Sequence, residues 1–415
     1  FTDAYAACTV CSPTRAAVMT GRYPARLHLT DWIPGRKQWP AARLLTPQFN
    51  QQLPHEEVTI AEALKGAGYA AASIGKWHLG GTGFYPEQRG FDLNVGGTHR
   101  GSPASYFGPF DLPNLTGGSA EEYLTDRLNR EALRFIEANQ TRPFFLYLPH
   151  FAVHIPLQAK KALIARYQAK ARPENAQRDP VYAAMIHSVD EAVGLLRRRL
   201  EELGIAGRTV IFFTSDNGGL IYEGSRKVPV TSNAPLRAGK GHVYEGGIRV
   251  PLIVSGPGVR EGITSSVPAS SQDYLPTILE LAGVKPSAGR AIDGRSLVPV
   301  LRQSGAVKRD ALYWHYPHYP NQGGVPAGAV RQGDFKLIEF YEDGRLELYN
   351  LRDDIGERSN LARRLPKKAA ELHTLLKRWR TSVDAVMPSP NPAYDVAKAD
   401  QGLTGNEPKT DPLPD

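Results

Sequence analysis

Cysteine is nearly absent: the 415 residues hold two, Cys8 and Cys11, spaced C-x-x-C. That count excludes a disulfide framework, and zinc would need two further ligands where no second cysteine pair exists. A thioredoxin-like redox pair would need its own βαβ context, which the adjoining Ser12-Pro13-Thr14-Arg15 does not supply. One cysteine with a special fate remains. Long apolar runs are missing too. The longest, such as 144–148 and 210–213, fall far below the ~18 residues of a membrane span, so no span is expected. No charged n-region or apolar h-region stands at Phe1, so location is not read directly from the chain, and no internal repeat is seen.

Charge is not balanced. A net charge of +8 and a pI near 9.3 suit an anionic substrate or a solvated basic face. The densest basic run, Arg197-Arg198-Arg199, falls on an amphipathic helix, and no nucleic-acid motif accompanies it; nucleic acid is not an expected partner. With 41% hydrophobic residues the chain can bury a large core, divided between a major and a smaller domain.

Apolar periodicity alternates between helix and strand. Helices are expected at 59–68, 121–138, 182–203 and 274–282, and strands at 69–74, 144–148, 209–214 and 249–254. This predicts an α/β fold, a sheet covered by helices on both faces, with ligand sites beyond the carboxyl ends of strands. The polar clusters at 76–78, 149–154 and 215–217 each follow an apolar strand directly, so they are expected to converge. After about Ala306 short strands at 312–314, 329–331, 335–340 and 346–349 and a helix at 365–382 predict a small antiparallel sheet with one helix. From Pro388 onward Pro, Asn, Asp and Lys dominate, which predicts an irregular tail. The expected division is 1–305, 306–387 and 388–415.

Five segments carry chemistry. Cys11-Ser12-Pro13-Thr14-Arg15 is followed by Thr20-Gly21-Arg22, and Gly75-Lys76-Trp77-His78-Leu79-Gly80 ends a strand. The second is no phosphate-cradling P-loop, which would need Gly where Ala70 stands and Ser or Thr where Trp77 stands. His150 and His154 are spaced H-x-x-x-H, but Pro149 and Pro156 bracket them, so a helical zinc pair is not expected. Ser215-Asp216-Asn217-Gly218-Gly219 places two hard oxygen ligands at a strand end, suited to Ca²⁺ or Mg²⁺, though such a turn is also a common loop. Lys240 begins the fifth, which runs through Glu245-Gly246-Gly247-Ile248-Arg249-Val250-Pro251.

In this order the segments resemble the formylglycine-dependent sulfatases, an arylsulfatase-like family of the alkaline-phosphatase-like superfamily, over about residues 1–360. The resemblance implies a large mixed sheet flanked by helices plus a smaller C-terminal antiparallel sheet with one helix. It implies hydrolysis of a sulfate monoester, a sulfated small molecule or glycan. Cys11 would be oxidised to formylglycine by a formylglycine-generating or anaerobic sulfatase-maturating enzyme. Lys76 and Lys240 would hold sulfate oxygens, Arg15 would assist residue 11, His78 would contact its hydrate, and His154 would stand near the leaving oxygen. Asp216, Asn217 and the modified Cys11 would hold the metal, Ca²⁺ ahead of Mg²⁺. A periplasmic or secreted location is implied as well.

The family's metal site also uses two adjacent aspartates on a strand well upstream of C-x-P-x-R. The only such pair here, Asp353-Asp354, lies in a late turn. The expectation is an N-terminally truncated piece of a longer enzyme. A phosphate or phosphonate monoester hydrolase of the same superfamily, or a non-catalytic sulfoglycan-binding relative, stays open. For substrate contacts, His150 is a second-layer or structural candidate. His315 and His318, in the aromatic loop 314–319, could line a sugar subsite with Trp32 or serve domain packing.

Overall fold

The computed structural model describes residues 1–398 apart from 39, 41, 171–176, 178, 222–228 and 288. Near the N-terminus lie β1 (Ala4–Tyr5), α1 (Cys11–Thr20) and β2 (Leu44–Leu45). Helix α2 (Ile60–Lys65) starts at a capping box in which Thr59 accepts from the Glu62 amide and Glu62 accepts from the Thr59 amide. It buries Ile60, Ala61 and Leu64 and leads into β3 (Ala70–Ile74). All five β3 residues are buried, as a strand covered on both faces requires. Strand β3 lies between β4 (Leu93–Val95) and β5 (Phe144–Tyr147), parallel to both.

Between those strands runs α3 (Leu124–Ala138), whose Leu124, Leu128, Ala132 and Phe135 share one core with Ala70, Ala72 and Ile74. Helix α4 (Lys161–Lys170) precedes α5 (Pro180–Glu202), which Asp179 caps by accepting from the amides of Val181 and Tyr182. Next come β6 (Ile211–Thr214), the short α6 (Glu245–Ile248) and β7 (Leu252–Ser255), with β6 antiparallel to β7. Strand β8 (Ala269–Ser270) runs parallel to β1. The bonds Ala6 N–H to Ile248 O and Val250 N–H to Ala4 O lay β1 beside the approach to β7. The mixed sheet is thus carried by two blocks, β4-β3-β5 and β6-β7 with β1-β8.

Helices α7 (Tyr274–Leu281) and α8 (Val298–Leu301) close the larger part. The expected small sheet follows as an antiparallel meander of β9 (Leu312–Tyr316), β10 (Ala327–Gln332), β11 (Phe335–Phe340) and β12 (Leu346–Asn350). Its cover is α9 (Pro366–Ser382), whose Leu372, Leu376 and Trp379 pack on Val330, Leu337 and Leu348. Of the tail expected to be irregular, Ser389–Pro390 forms β13 against β2, while 399–415 lie outside the described residues.

The small sheet grips the N-terminal strand. Trp314 donates from Nε1 to Ala6 O at 2.8 Å, and Arg331 reaches Asp3 at 2.6 Å. Lys336 of β11 is fully buried and bridges Glu245 and Glu357, each at 2.9 Å; Tyr5 donates its hydroxyl to the same Glu245. A buried ammonium between two carboxylates is held only by such close pairing, so this triad fixes the sheet to the loop that begins at Lys240.

Candidate active site

Cys11 is the first residue of α1, which no side chain caps, and its Sγ is buried 3.3 Å from Nδ1 of His78. Burial pushes the thiol up, but the charges of Lys76, His78 and Lys240 outweigh it and hold the group well below its ordinary range. One helical turn later, Arg15 points along the same face. Its guanidinium binds Asp216 Oδ2 through Nε at 2.9 Å and Nη2 at 2.7 Å, and donates to the Lys76 carbonyl at 2.7 Å. Arg15 therefore ties α1 to the ends of β6 and β3.

The β3 end is shaped by Gly75, at φ +122°, where an added Cβ would run into the Pro149 carbonyl oxygen. The Lys76 amide donates to that same carbonyl at 2.8 Å, which brings 75–78 against 149–154. Burial pushes buried Lys76 down to about 8 against the raising effect of Cys11. His78 turns its Nε2 to the Ile33 carbonyl. A carbonyl only accepts, so Nε2 carries hydrogen, and Nδ1 is the atom turned to residue 11.

His154 offers Nδ1 to the Ile155 carbonyl at 3.1 Å and Nε2 to Lys240 Nζ at 3.0 Å. Burial, then the charges of Lys240 and Lys76, hold this imidazole well below its usual value. Lys240 is placed by its own amide bonding the Gly219 carbonyl, and Gly218 bonds the Gly247 carbonyl, so the loops after β6 and before β7 are one unit.

Asp216 sits beyond β6; burial raises its carboxyl, but Arg15, Lys76 and Lys240 hold it well below the usual carboxylate range. Beside it, Asn217 Oδ1 is shielded from solvent and has no partner among the described residues, while Nδ2 donates to Gly218 O. An orphaned amide oxygen next to a carboxylate fits part of a hard-cation shell. Among the described residues no three His, Cys, Asp or Glu side chains form a metal cluster; Asp216 and Asn217 could supply one side of such a shell.

The strand-end residues thus converge: Cys11, Arg15, Lys76, His78, His154, Asp216 and Lys240 are joined through the contacts above. His150 lies on the same loop, half-buried and pushed down to about 4 by desolvation, its shielded Nδ1 without a partner among the described residues. His315 and His318 sit otherwise. Both are buried; His315 bonds Tyr341 Oη at 2.8 Å and Val386 O at 3.0 Å, and His318 Nε2 bonds Thr30 Oγ1 at 2.8 Å. These contacts are those of packing between the small sheet and the segments around it, and the rings present no free edge to a sugar. Sequence reasoning missed Tyr147, whose hydroxyl lies 3.4 Å from Arg15, and the Ile33 carbonyl on His78. A backbone carbonyl carries no sequence signal.

Residues 1–284 match the family model Sulfatase, and residues 238–382 match N-sulphoglucosamine sulphohydrolase, C-terminal. A "Sulfatase" of Formosa agariphila is 31% identical, covering 89% of this chain and 79% of that protein. The N-acetylgalactosamine-6-sulfatase of Sus scrofa is 36% identical over 76% of this chain, which spans 61% of that protein's length. Among solved structures, Ps i-CgsB superposes with a TM-score of 0.77 at 30% identity, covering 95% of this chain and 86% of that one. The chain belongs to the sulfatase family, hydrolases of sulfuric esters.

Proposed function

We propose that the chain releases inorganic sulfate from a sulfated carbohydrate, with residue 11 attacking after its cysteine has been oxidised to formylglycine. The observation that carries this reading is Cys11, buried at a helix start between Lys76, His78 and the Arg15–Asp216 pair. The carbohydrate is supported by the relatives: one is named for N-acetylgalactosamine 6-sulfate chemistry, and Ps i-CgsB, 29% identical in that structure, was solved with k-i-k-neocarrahexaose.

A sulfate monoester is anionic and repels nucleophiles, so its site needs cations around the oxygens. Lys76 and Lys240 supply two. Arg15 keeps Asp216 ionised and in place. A hydrated formylglycine supplies one hydroxyl to attack sulfur and a second whose deprotonation frees the sulfate, which a plain serine or cysteine lacks. His78, with its Nδ1 lone pair toward residue 11, takes that proton. The leaving oxygen needs a proton, which the Lys240 ammonium, held by its hydrogen bond to His154 Nε2, gives. Asp216 and Asn217 would hold a cation, Ca²⁺ ahead of Mg²⁺, because two fixed oxygens suit its looser shell; when bound it adds positive charge at the sulfate oxygens. Maturation by a formylglycine-forming enzyme and a periplasmic or secreted location belong to the same reading.

The test is the mass of residue 11 in the tryptic peptide ending at Arg15, together with sulfate release from sulfated sugars. Formylglycine and sulfate release support the proposal. Unmodified Cys11 with glycan binding but no turnover would replace it with a binding role, and preference for an aryl phosphate over an aryl sulfate would replace it with phosphoester hydrolysis.

A further inference from the structure

His78 is held by groups that no motif contains. Its Nε2 meets the Ile33 carbonyl, and the Ile33 amide donates to Ser12 Oγ at 3.2 Å, beside Cys11. Ile33 lies inside a loop closed by a buried carboxylate. Asp31 Oδ1 accepts from the Trp32 amide at 2.8 Å and from the Tyr316 hydroxyl at 2.7 Å, and its carboxylate also accepts from the Arg36 amide. His318 Nδ1 stands 4.0 Å from Oδ2. From the other side, Gly101 lies against the imidazole: an added Cβ would stand 2.9 Å from both ring nitrogens. The ring thus has a carbonyl at one nitrogen, residue 11 at the other and a bare backbone on its flank.

We propose that Asp31 is a positioning residue for the reaction at residue 11. It closes the 31–36 loop so that the Ile33 carbonyl keeps hydrogen on His78 Nε2 and leaves Nδ1 turned to residue 11. Tyr316, on the first strand of the small sheet, braces that carboxylate, so the C-terminal sheet reaches toward the active site through its hydroxyl. The role assigned to His78 rests on the proposed function; the clamp itself rests on the contacts alone. Burial raises Asp31 to about 7 even though Tyr316 and the Trp32 and Arg36 amides pull it down. A carboxylate so costly to bury needs a task beyond filling space.

The experiment compares Asp31→Asn, Tyr316→Phe and Gly101→Ala in the purified full chain, using ¹⁵N-histidine shifts and steady-state kinetics. Gly101 has an ordinary φ, so alanine there disturbs the ring rather than the backbone. The wild type is expected to show the Nε2–H form of His78. The variants are expected to show mixed tautomers and a kcat lower by about 10- to 100-fold, the cost of losing an outer partner of a functional histidine. KM is expected to stay within about twofold, since the sulfate-facing lysines are not touched. Folded variants with wild-type His78 shifts and kcat overturn the proposal, as does lowered thermal stability with unchanged kcat. If the wild type releases no sulfate, the proposed function fails, and the His78 shifts alone still decide whether Asp31 sets the ring.

Discussion

Lys240 Nζ lies 3.0 Å from His154 Nε2, on a ring whose Nδ1 faces the Ile155 carbonyl at 3.1 Å. A ring with hydrogen on Nδ1 has only a lone pair at Nε2, so the ammonium is the donor across this bond. In the proposed reaction Lys240 would give the leaving oxygen its proton and His154 would hold the ammonium in place. Replacing either by alanine is expected to slow a sugar sulfate, whose leaving alkoxide needs that proton, by about 10²- to 10⁴-fold. An activated aryl sulfate, which leaves as a stable phenolate, should lose far less. Equal losses on both substrates would show that the pair serves binding alone.

Asn217 Oδ1 has no partner among the described residues, so removing it costs the fold little beyond the Nδ2 bond to Gly218, about 1 kcal/mol. Asn217→Ala is therefore expected to melt near the wild type while binding Ca²⁺ at least tenfold more weakly by calorimetry. A chelator should lower wild-type activity, with added Ca²⁺ restoring it. Unchanged affinity in the variant would remove Asn217 from the cation site.

Buried His315 and His318 are pushed down to about 4 and about 3, chiefly by burial. An unfolded histidine takes its proton near 6.5, so between that pH and the folded values the unfolded chain binds more protons. Stability is thus complete above about 6.5 and is lost as pH falls, by roughly 2 kcal/mol per ring at pH 5. Urea midpoints measured at pH 7 and pH 5 should fall accordingly. His315→Gln and His318→Gln should each flatten that dependence; an unaltered slope in both would refute the assignment.

Gly75→Ala adds a Cβ where the Pro149 carbonyl stands, at a φ of +122°. Neither backbone can yield without parting the ends of β3 and β5. A loss of about 2–4 kcal/mol in chemical unfolding is expected, and with it sulfate affinity, since Lys76 follows directly. Wild-type stability would mean that the two strand ends have slack.

Much of this was legible beforehand for a physical reason. Buried parallel strands such as Ala70–Ile74 are runs of small and apolar residues, and whatever charged residues follow them must emerge at one edge of the sheet. Lys76, His154 and Asp216 could therefore be expected to meet. Two-residue strands such as Ala4–Tyr5 and Ala269–Ser270 have no period to read; only their pairing makes them strands. His315 and His318 looked available because a His/aromatic run has the composition of a sugar subsite. Burial depends on what packs across them, Val386 and Thr30, which lie far away in sequence. Asp31 was hidden similarly, since its partner Tyr316 stands 285 positions on.

The grip of the small sheet on β1 also sets an order in time. Residues 3–6 obtain partners from Ile248, Ala269, Trp314 and Arg331, all of them made much later on the ribosome. At about 5–20 residues per second, roughly 15–60 s pass between the emergence of Cys11 and that of Arg331. For that interval the segment around Cys11 lacks the contacts that finally bury it. If Cys11 is oxidised as proposed, the enzyme that reaches this thiol would have its opportunity then, and a chain that closed sooner would seal in an unconverted cysteine.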